Sequence, residues 1–471
     1  MPRLSASYKL GQRTVLKAGY GMYYDTLKAN DYDPNTLGYS ATTNNTNSTD
    51  FGQTFLLGDP YSGAIGIADP FPLRADGTRF DDPFGSSIGV NSIVGLGYNW
   101  QNQNRQHARQ QRWRFAIQRE VASNLAVEVA YDGTYSDRID TRIRQDFLPE
   151  QYWIPGSLNA RDAAAQSVLT ANVPSPYALA NFASLQATHP ALYQRMAANA
   201  FFRSATTQRH RLLRPFSQID ELNFDNLPLG EAKGRSLTIN VNRRFADGFT
   251  ANMAVAFTST RRNRTVHEFD REPTLWLDDN NSRPFRISGG AVYELPIGAG
   301  KALLNNGGLW AAMAGGWQMG GTFEHQPGSL LVFNNNLFYY GDIADIKKDN
   351  PEIALNSDGT LDQSKHWFNV DGFETSNAKT PTSFQTRAFP FQIDGLRGPG
   401  LTYANMNFVR SFSIGGRRTI QARMDIQNLF NYAAYNNPST DPTNTNFGKV
   451  TSAVSAAGAM RFFSFAMRFS F

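Results

Sequence analysis

The sequence predicts an all-β fold: an antiparallel transmembrane β-barrel, with about eleven strands in this chain and long loops on one side. Three observations carry that expectation. Apolar and polar residues alternate with period two in one segment after another, the pattern of strands with a single apolar face. The connections alternate between tight turns and long polar stretches. A membrane-spanning helix needs about 20 consecutive apolar residues. The nearest candidate, LWAAMAGGWQMGG at 309–321, is too short and too rich in Gly.

In chain order, strands are expected near 3–9, 13–24, 109–120, 124–136, 236–245, 249–260, 284–296, 309–325, 400–413, 418–429 and 459–471. WRFAIQR sets Trp113, Phe115 and Ile117 against Arg114 and Gln118, and LAVEVAYD sets Leu125, Val127, Val129 and Tyr131 against Glu128 and Asp132. SLTINVNRRF opposes Leu237, Ile239, Val241 and Phe245 to Thr238, Asn240, Asn242 and Arg244. FTANMAVAF sets Phe249, Ala251, Met253, Val255 and Phe257 against Thr250, Asn252, Ala254 and Ala256. TIQARMDIQ separates Ile420, Ala422, Met424 and Ile426 from Gln421, Arg423, Asp425 and Gln427. RFFSFAMRFSF closes the chain with Phe463, Phe465, Met467, Phe469 and Phe471 on one side.

Tight turns fall at Leu10–Gly11–Gln12, Ala122–Ser123–Asn124, Ala246–Asp247–Gly248 and Gly415–Gly416, with a longer one across Gly298 to Gly308. Long stretches lie near 25–108, 137–235, 262–283, 333–398 and 431–458. Loops beyond about 15 residues are uncommon in compact domains, and a soluble sandwich has no reason to segregate loop length by side. An outer-membrane barrel does so. Single-chain bacterial barrels usually have even strand counts. Eleven strands therefore suit the last half of a barrel of about 22, a size known for plugged transporters. The opening MPRLSASYKLGQRTVL lacks the apolar run of a signal peptide and starts inside a predicted strand, so a fragment of a longer precursor is expected.

A mean hydropathy of −0.43 is compatible with such a barrel, because only alternate strand residues face lipid. The absence of Cys removes disulfide frameworks, thiolate metal sites and Cys nucleophiles. The net charge of +5 is small and spread along the chain, with clusters at 105–114 and 261–264, and no nucleic-acid footprint is expected.

Particular segments resemble a family. RQQRWRFAIQREVASNLAVEVAYDGTYSDRI (109–139), RSLTINVNRRFADGFTANMAVAFTST (235–260) and RPFRISGGAVYELPIGAGK (283–301) are similar to the barrel of Oar-like TonB-dependent transporters. So are GGWQMGGTFEHQPGSLLVF (315–333), WFNVDGF (367–373), LRGPG (396–400), DIQNLFNYAAYNNP (425–438), NFGKVTSA (446–453) and the opening PRLSASYKLGQRTVLKAGYGMYYD (2–25). The likeness is weak in 26–108 and 140–230. In this family a carboxypeptidase-regulatory-like domain and a plug usually precede the barrel, and this chain carries neither, nor a TonB box. Residues 1–471 are therefore expected to be a partial barrel domain that does not transport alone.

The resemblance implies the barrel portion of an outer-membrane receptor for a large or scarce extracellular ligand: carbohydrate, peptide or metal chelate. The alternative is a structural or adhesive surface barrel without active transport. Implied partners are outer-membrane lipid, the barrel-assembly machinery, the TonB complex through the plug, and the extracellular ligand. Phe465, Met467, Phe469 and Phe471 would be the barrel-insertion signal, read by strand addition at a sheet edge; an ordinary amphipathic last strand has the same pattern. No enzymatic role and no cofactor are expected, and the ligand-binding residues stay unassigned.

Chemical motifs do not survive their context. GSSIG (85–89) spells a nucleophile elbow without the strand and helix that make one. SNAK (376–379) has no helix to bring Ser376 and Lys379 together, and PIGAGKA (296–302) lacks phosphate-loop spacing. The six His never pair at metal-ligand spacing, and His325 after Glu324 is expected at the rim. FDDP (80–83) and LDDNN (277–281) fall short of a Ca²⁺ loop. Trp113, Tyr131, Tyr293 and Trp317 fit interfacial aromatic girdles. Loop 26–108 mixes Tyr32, Tyr39, Phe51, Phe55, Tyr61, Phe71, Phe80, Phe84, Tyr98 and Trp100 with Asn, Asp and Gly. That mixture suits ligand contact and packing on neighbouring loops equally.

Overall fold

The computed structural model describes the chain apart from residue 1, most of 26–93, 266–273, 307, 335–336, 350, 352, 377–378, 380–383 and 455–459. Its strands are β1 (Arg3–Leu10), β2 (Thr14–Tyr24), β3 (Gly97–Gln101), β4 (Arg109–Ala122), β5 (Leu125–Arg144), β6 (Asn172–Pro174), β7 (Thr206–Gln208), β8 (Glu221–Ala246), β9 (Phe249–Thr265) and β10 (Thr274–Asp278). They continue with β11 (Phe285–Glu294), β12 (Gln318–Gln326), β13 (Leu330–Val332), β14 (Gln392–Arg397), β15 (Leu401–Ser413), β16 (Thr419–Gln427) and β17 (Phe462–Ser470). The helices are α1 (Ala163–Thr170), α2 (Leu185–Thr188), α3 (Pro190–Ala198), α4 (Ala200–Arg203), α5 (Arg209–Leu212) and α6 (Leu309–Ala314).

Eleven strands pair in the order β1-β2-β4-β5-β8-β9-β11-β12-β15-β16-β17, and the short β10 and β3 add to β9 and β8. Each neighbour on this path is antiparallel and next in chain order, which makes an up-and-down meander. These eleven correspond one for one to the eleven predicted crossings. Loop length sorts by side as expected. Asp247 and Gly248 close the β8–β9 turn with φ of 53° and 75°, the left-handed pair that a tight hairpin of matching twist requires.

The register explains the alternation. Tyr8, Leu16, Ile117, Val129, Ile239, Val255 and Ile287 form one row across seven strands. The adjacent row, on the opposite face, runs Ser7, Lys17, Ala116, Ala130, Thr238, Ala256 and Arg286. In a soluble sandwich the apolar rows would be inside. Here they are outside, with Phe115 57%, Phe465 76% and Met467 78% exposed. A continuous apolar face of this extent needs an apolar surrounding. Trp113 lies directly opposite Gly133, and its ring covers that glycine so closely that no side chain fits there.

Two expectations are corrected. Residues 309–317 are not strand. LWAAMA is rich in helix formers and folds as α6, between Gly308 at φ 88° and Gly315. Its carbonyls at Ala312 and Met313 accept from the Arg410 guanidinium, so β12 starts only at Gln318. The stretch expected as loop at 137–235 is shorter, because β5 runs on to Arg144 and β8 begins at Glu221. With 20, 26 and 17 residues, β5, β8 and β9 far exceed the 9–11 that cross a bilayer. At about 3.3 Å per residue they raise a wall on the loop side of the sheet.

Candidate functional site

The wall carries a folded cap. Its larger part is built from 327–400 together with 431–458, and its core joins Leu331, Phe333, Leu337, Tyr339, Ile346, Phe368, Phe373, Phe389, Ile393, Leu396 and Phe447. Phe333, Ile346, Phe368 and Phe389 are fully buried. Most ring pairs of this core meet edge-on or tilted, with Tyr339 and Phe373 centroids 4.6 Å apart and Phe373 and Phe447 4.9 Å apart, and Phe333 stacks parallel to Phe373 at 6.3 Å. A backbone bond from the Trp367 N–H to the Gly448 carbonyl at 2.7 Å joins the two segments, and the Trp367 indole donates to the Arg397 carbonyl at 2.6 Å within the first.

The second part lies between β5 and β8. Leu148, Ile154, Leu169 and Phe384 form its core. The side chain of Asp162 caps α1 by accepting from the Ala165 N–H, and Asn199 does the same for α4 through the Phe201 N–H, each satisfying an otherwise orphaned helix donor. Phe384 belongs to the other segment in sequence, so this core already bridges the two. Ile154 and Phe384, Thr386 and Ile154, and Tyr339 and Leu158 exchange backbone bonds of 2.7–2.9 Å. Gly156 runs so close to Thr386 that an added Cβ would sit 2.5 Å from its carbonyl oxygen.

A charged cluster closes the base of this second part. Asp146 is fully buried and accepts from Arg144 at 3.0 Å and Arg214 at 2.7 Å, and Arg214 also donates to the Asp220 carbonyl at 3.0 Å. A carboxylate this deep is tolerable only when paired. His210 sits beside them with its ring 4.7 Å from Phe384. Burial, then Arg214, Arg211 and Arg144, bring its pKa down from 6.5 to about 4.

Below the cap, the polar face carries a ladder of charge. Lys17 pairs with Glu128 at 2.9 Å, and Arg114 bridges Glu128 and Asp132 at 2.8 and 3.0 Å. Arg286 pairs with Glu324 at 2.9 Å and Arg423 with Asp425 at 2.7 Å. Tyr23 lies between the Arg3 and Arg112 guanidinium groups, 4.7 and 5.2 Å from its ring centre.

Cap and polar wall together offer what a binding surface needs: a rigid scaffold, flat rings and many hydrogen-bonding groups. Tyr152, Tyr340 and Tyr432 are exposed tyrosines of the cap, and Tyr340 donates to Glu374 at 3.2 Å.

The structure sorts the residues singled out in the sequence. GSSIG, and with it Tyr32, Tyr39, Phe51, Phe55, Tyr61, Phe71 and Phe84, lies outside the described residues. Tyr98 and Trp100 lie on β3, parallel to β8, with Trp100 packed 4.7 Å from Phe224. His325 shares a face with Met319 and Phe323, bonds Thr402 at 2.8 Å and stands by Phe285. It therefore points away from Glu324. Ser376 and Lys379 meet only through a backbone bond of 2.9 Å. Among the described residues no group of three His, Asp or Glu is placed to hold a metal. Phe465, Met467, Phe469 and Phe471 line the apolar face of β17, and Phe471 is 93% exposed. Missed altogether were the cap core and the Asp146 cluster. The spacing of Phe and Trp over 333–398 follows no period, so the sequence carries no local signal for them.

Comparison with known proteins matches residues 1–464 to a family model described as outer membrane beta barrel domain. No curated protein matches the chain. Among solved structures, the ferripyoverdine receptor of the outer membrane of Pseudomonas aeruginosa is similar at 9% identity, over 99% of this chain and 32% of that one, with a TM-score of 0.37. The outer membrane transporter YddB from Escherichia coli is similar at 10% identity, over 97% and 38%, with a TM-score of 0.37. The copper transporter OprC is similar at 8% identity, over 100% and 39%, with a TM-score of 0.36. The chain thus spans about a third of the length of these structures.

Proposed function

The chain belongs to the outer membrane beta barrel domain family, and on that premise we propose that it is the barrel portion of a TonB-dependent receptor. In this reading the folded cap and the polar wall beneath it capture a large extracellular ligand. The single observation that supports it best is the cap itself. Its aromatic core and buried Asp146 cluster hold long loops in one arrangement above a sheet whose inner face is lined with ion pairs. A rigid, ring-rich rim over a polar interior suits a carbohydrate, a peptide or a metal chelate. Loop 26–108 and the exposed Tyr152 and Tyr340 are the contact candidates. Energy would come from the TonB complex through a plug, and Phe465, Met467, Phe469 and Phe471 would present the chain to the barrel-assembly machinery.

The test uses the full-length gene in its own cells. Ligand binding and uptake are measured before and after deleting residues 40–95, and after Tyr340→Ala, with the barrel confirmed as assembled. Uptake that stops when the proton gradient is collapsed, and binding that weakens on deletion, support the reading. Binding without any energy-dependent uptake would favour an adhesive surface barrel, which the tightly packed cap also suits. Unchanged affinity after the deletion would remove that loop from the site and leave 140–230.

A further inference from the structure

A cavity of about 430 Å³ is lined by Lys233, Arg235, Ser259, Arg261 and Trp276. The register places it. Leu237 lies opposite Phe257, Arg235 opposite Ser259, and Lys233 opposite Arg261. All of these share the face of Ile239 and Val255, so the cationic rows lie on the lipid side of the barrel wall and not toward its interior. Arg235 is two residues, and Arg261 four, beyond the last apolar row. With strands tilted about 40°, that puts them roughly 10 and 15 Å above the Ile239–Val255 row, on either side of the edge of an apolar band about 25 Å tall. This is the depth of the headgroups, since a bilayer adds about 5–8 Å of polar interface on each side.

The charges there are not balanced internally. Lys233 and Arg261 stand directly opposite each other, an arrangement that costs stability. Arg261 donates to the Trp276 carbonyl at 2.7 Å and approaches Asp278 only to 3.5 Å. The Lys233 ammonium lies 4.1 Å from the centre of the Trp276 ring. Glu231 is engaged by the Tyr135 hydroxyl. Among the described residues, Arg235 has no hydrogen-bond or ion-pair partner. Among the described residues, three cations face the carboxylates of Asp278 and Glu231 beside an interfacial Trp on a lipid-facing surface, and this net positive charge suits an anion that is itself part of the membrane.

We propose that Lys233, Arg235 and Arg261 bind the phosphate of a lipid headgroup in the outer leaflet, with Trp276 seated at the boundary between that headgroup and its acyl region. A phosphate monoester offers three strong acceptors, which suit the guanidinium forks and the ammonium together. Occupancy would relieve the opposed charges and fix the tall β8–β9–β10 edge against the membrane. Each basic group near an anionic surface contributes roughly fivefold in affinity. Loss of all three should therefore weaken binding on the order of 100-fold.

The experiment uses the full-length protein folded in detergent, with heat-modifiable migration confirming that each variant is assembled. Binding is titrated with bis-phosphorylated lipid A, with the same lipid after phosphatase treatment, and with inorganic phosphate. We expect salt-sensitive binding of the phosphorylated lipid, a loss on the order of 100-fold in K233Q/R235Q/R261Q, and roughly fivefold in R235Q, whose side chain supports nothing else. Arg417→Gln, at the opposite end of the sheet, should change nothing. Equal binding of the dephosphorylated lipid, undiminished binding by the assembled triple variant, or inorganic phosphate binding as tightly as the lipid would each overturn the proposal. Failure of the ligand-uptake reading would leave it untouched.

Discussion

Replacing Val255 with Arg tests the register, the membrane assignment and the depth of the strands together. On β8 the apolar face lies between Arg235 and Arg243, eight residue steps that cover about 26 Å of strand and about 20 Å of height at a tilt of about 40°. Ile239 lies at the middle of that span, and Val255 is directly opposite it. Arg at the midplane of a barrel costs about 2–4 kcal/mol, falling to about 0–1 near the interfaces. Val255→Arg should therefore lower the folding free energy by about 2–4 kcal/mol, a shift of roughly 30- to 1000-fold in the folded ratio. Ser259, two rows higher and level with Arg235, should accept Arg for about 1 kcal/mol or less.

Asn252 is the control. It lies opposite Asn242 and Gly290, within the same band of height but on the polar face, so Asn252→Arg should stay within about 0.5 kcal/mol, as exposed substitutions do. Met424, between Phe408 and Phe465, and Gln421, between Ser411 and Arg468, make a second pair on β15–β17. The assay is denaturant unfolding of the full-length protein in phospholipid vesicles, followed by Trp fluorescence. Equal penalties at Val255 and Asn252, or no fall between Val255 and Ser259, would refute the reasoning.

The chain should partition with outer membranes and migrate differently on gels before and after heating; recovery as a detergent-independent monomer would contradict the fold. Deleting Phe471 should reduce the assembled, heat-modifiable fraction several-fold in cells while leaving refolding in vesicles unchanged, and unaltered assembly would reduce β17 to an ordinary edge strand. Acidification should loosen the cap. His210 titrates at about 4 in the fold against 6.5 outside it, so its contribution is complete above pH 6.5 and is lost as pH falls from 6.5 toward 4. Protease cleavage within 145–220 should accordingly rise over that window, and His210→Leu should flatten the rise.

Most of the barrel was legible because its determinants are local. Period-two alternation in TIQARMDIQ or FTANMAVAF depends only on which face each residue takes, and a one-residue slip would turn every apolar side chain to the wrong side. Turn chemistry was equally local at Asp247–Gly248. The failure at 309–317 has a local cause as well. LWAAMA is apolar enough to pass as strand, yet its Ala, Leu and Met prefer helix, and Arg410, about a hundred residues away in the chain, supplies the acceptor-satisfying donors at its end. No window of sequence contains that contact.

The cap was illegible for the same reason carried further. Phe384 completes a core whose other members lie at 148–169, and Phe447 completes one that begins at Leu331. Residues with such partners need no period, because each faces a different neighbour rather than a common side. Composition therefore marked these stretches as polar loops and hid the two packed cores that they form. The consequence for function is specific. On the proposed reading, a rim held by Asp146, Phe333 and Phe389 would discriminate ligands by shape. Among the described residues neither cap core draws on loop 26–108, and on the proposed reading that loop supplies contacts that vary without cost to the fold. Selectivity is then expected to follow loop 26–108 and exposed rings such as Tyr340, while Asp146→Asn or Phe389→Ala should act through cap stability, lowering affinity for every ligand alike.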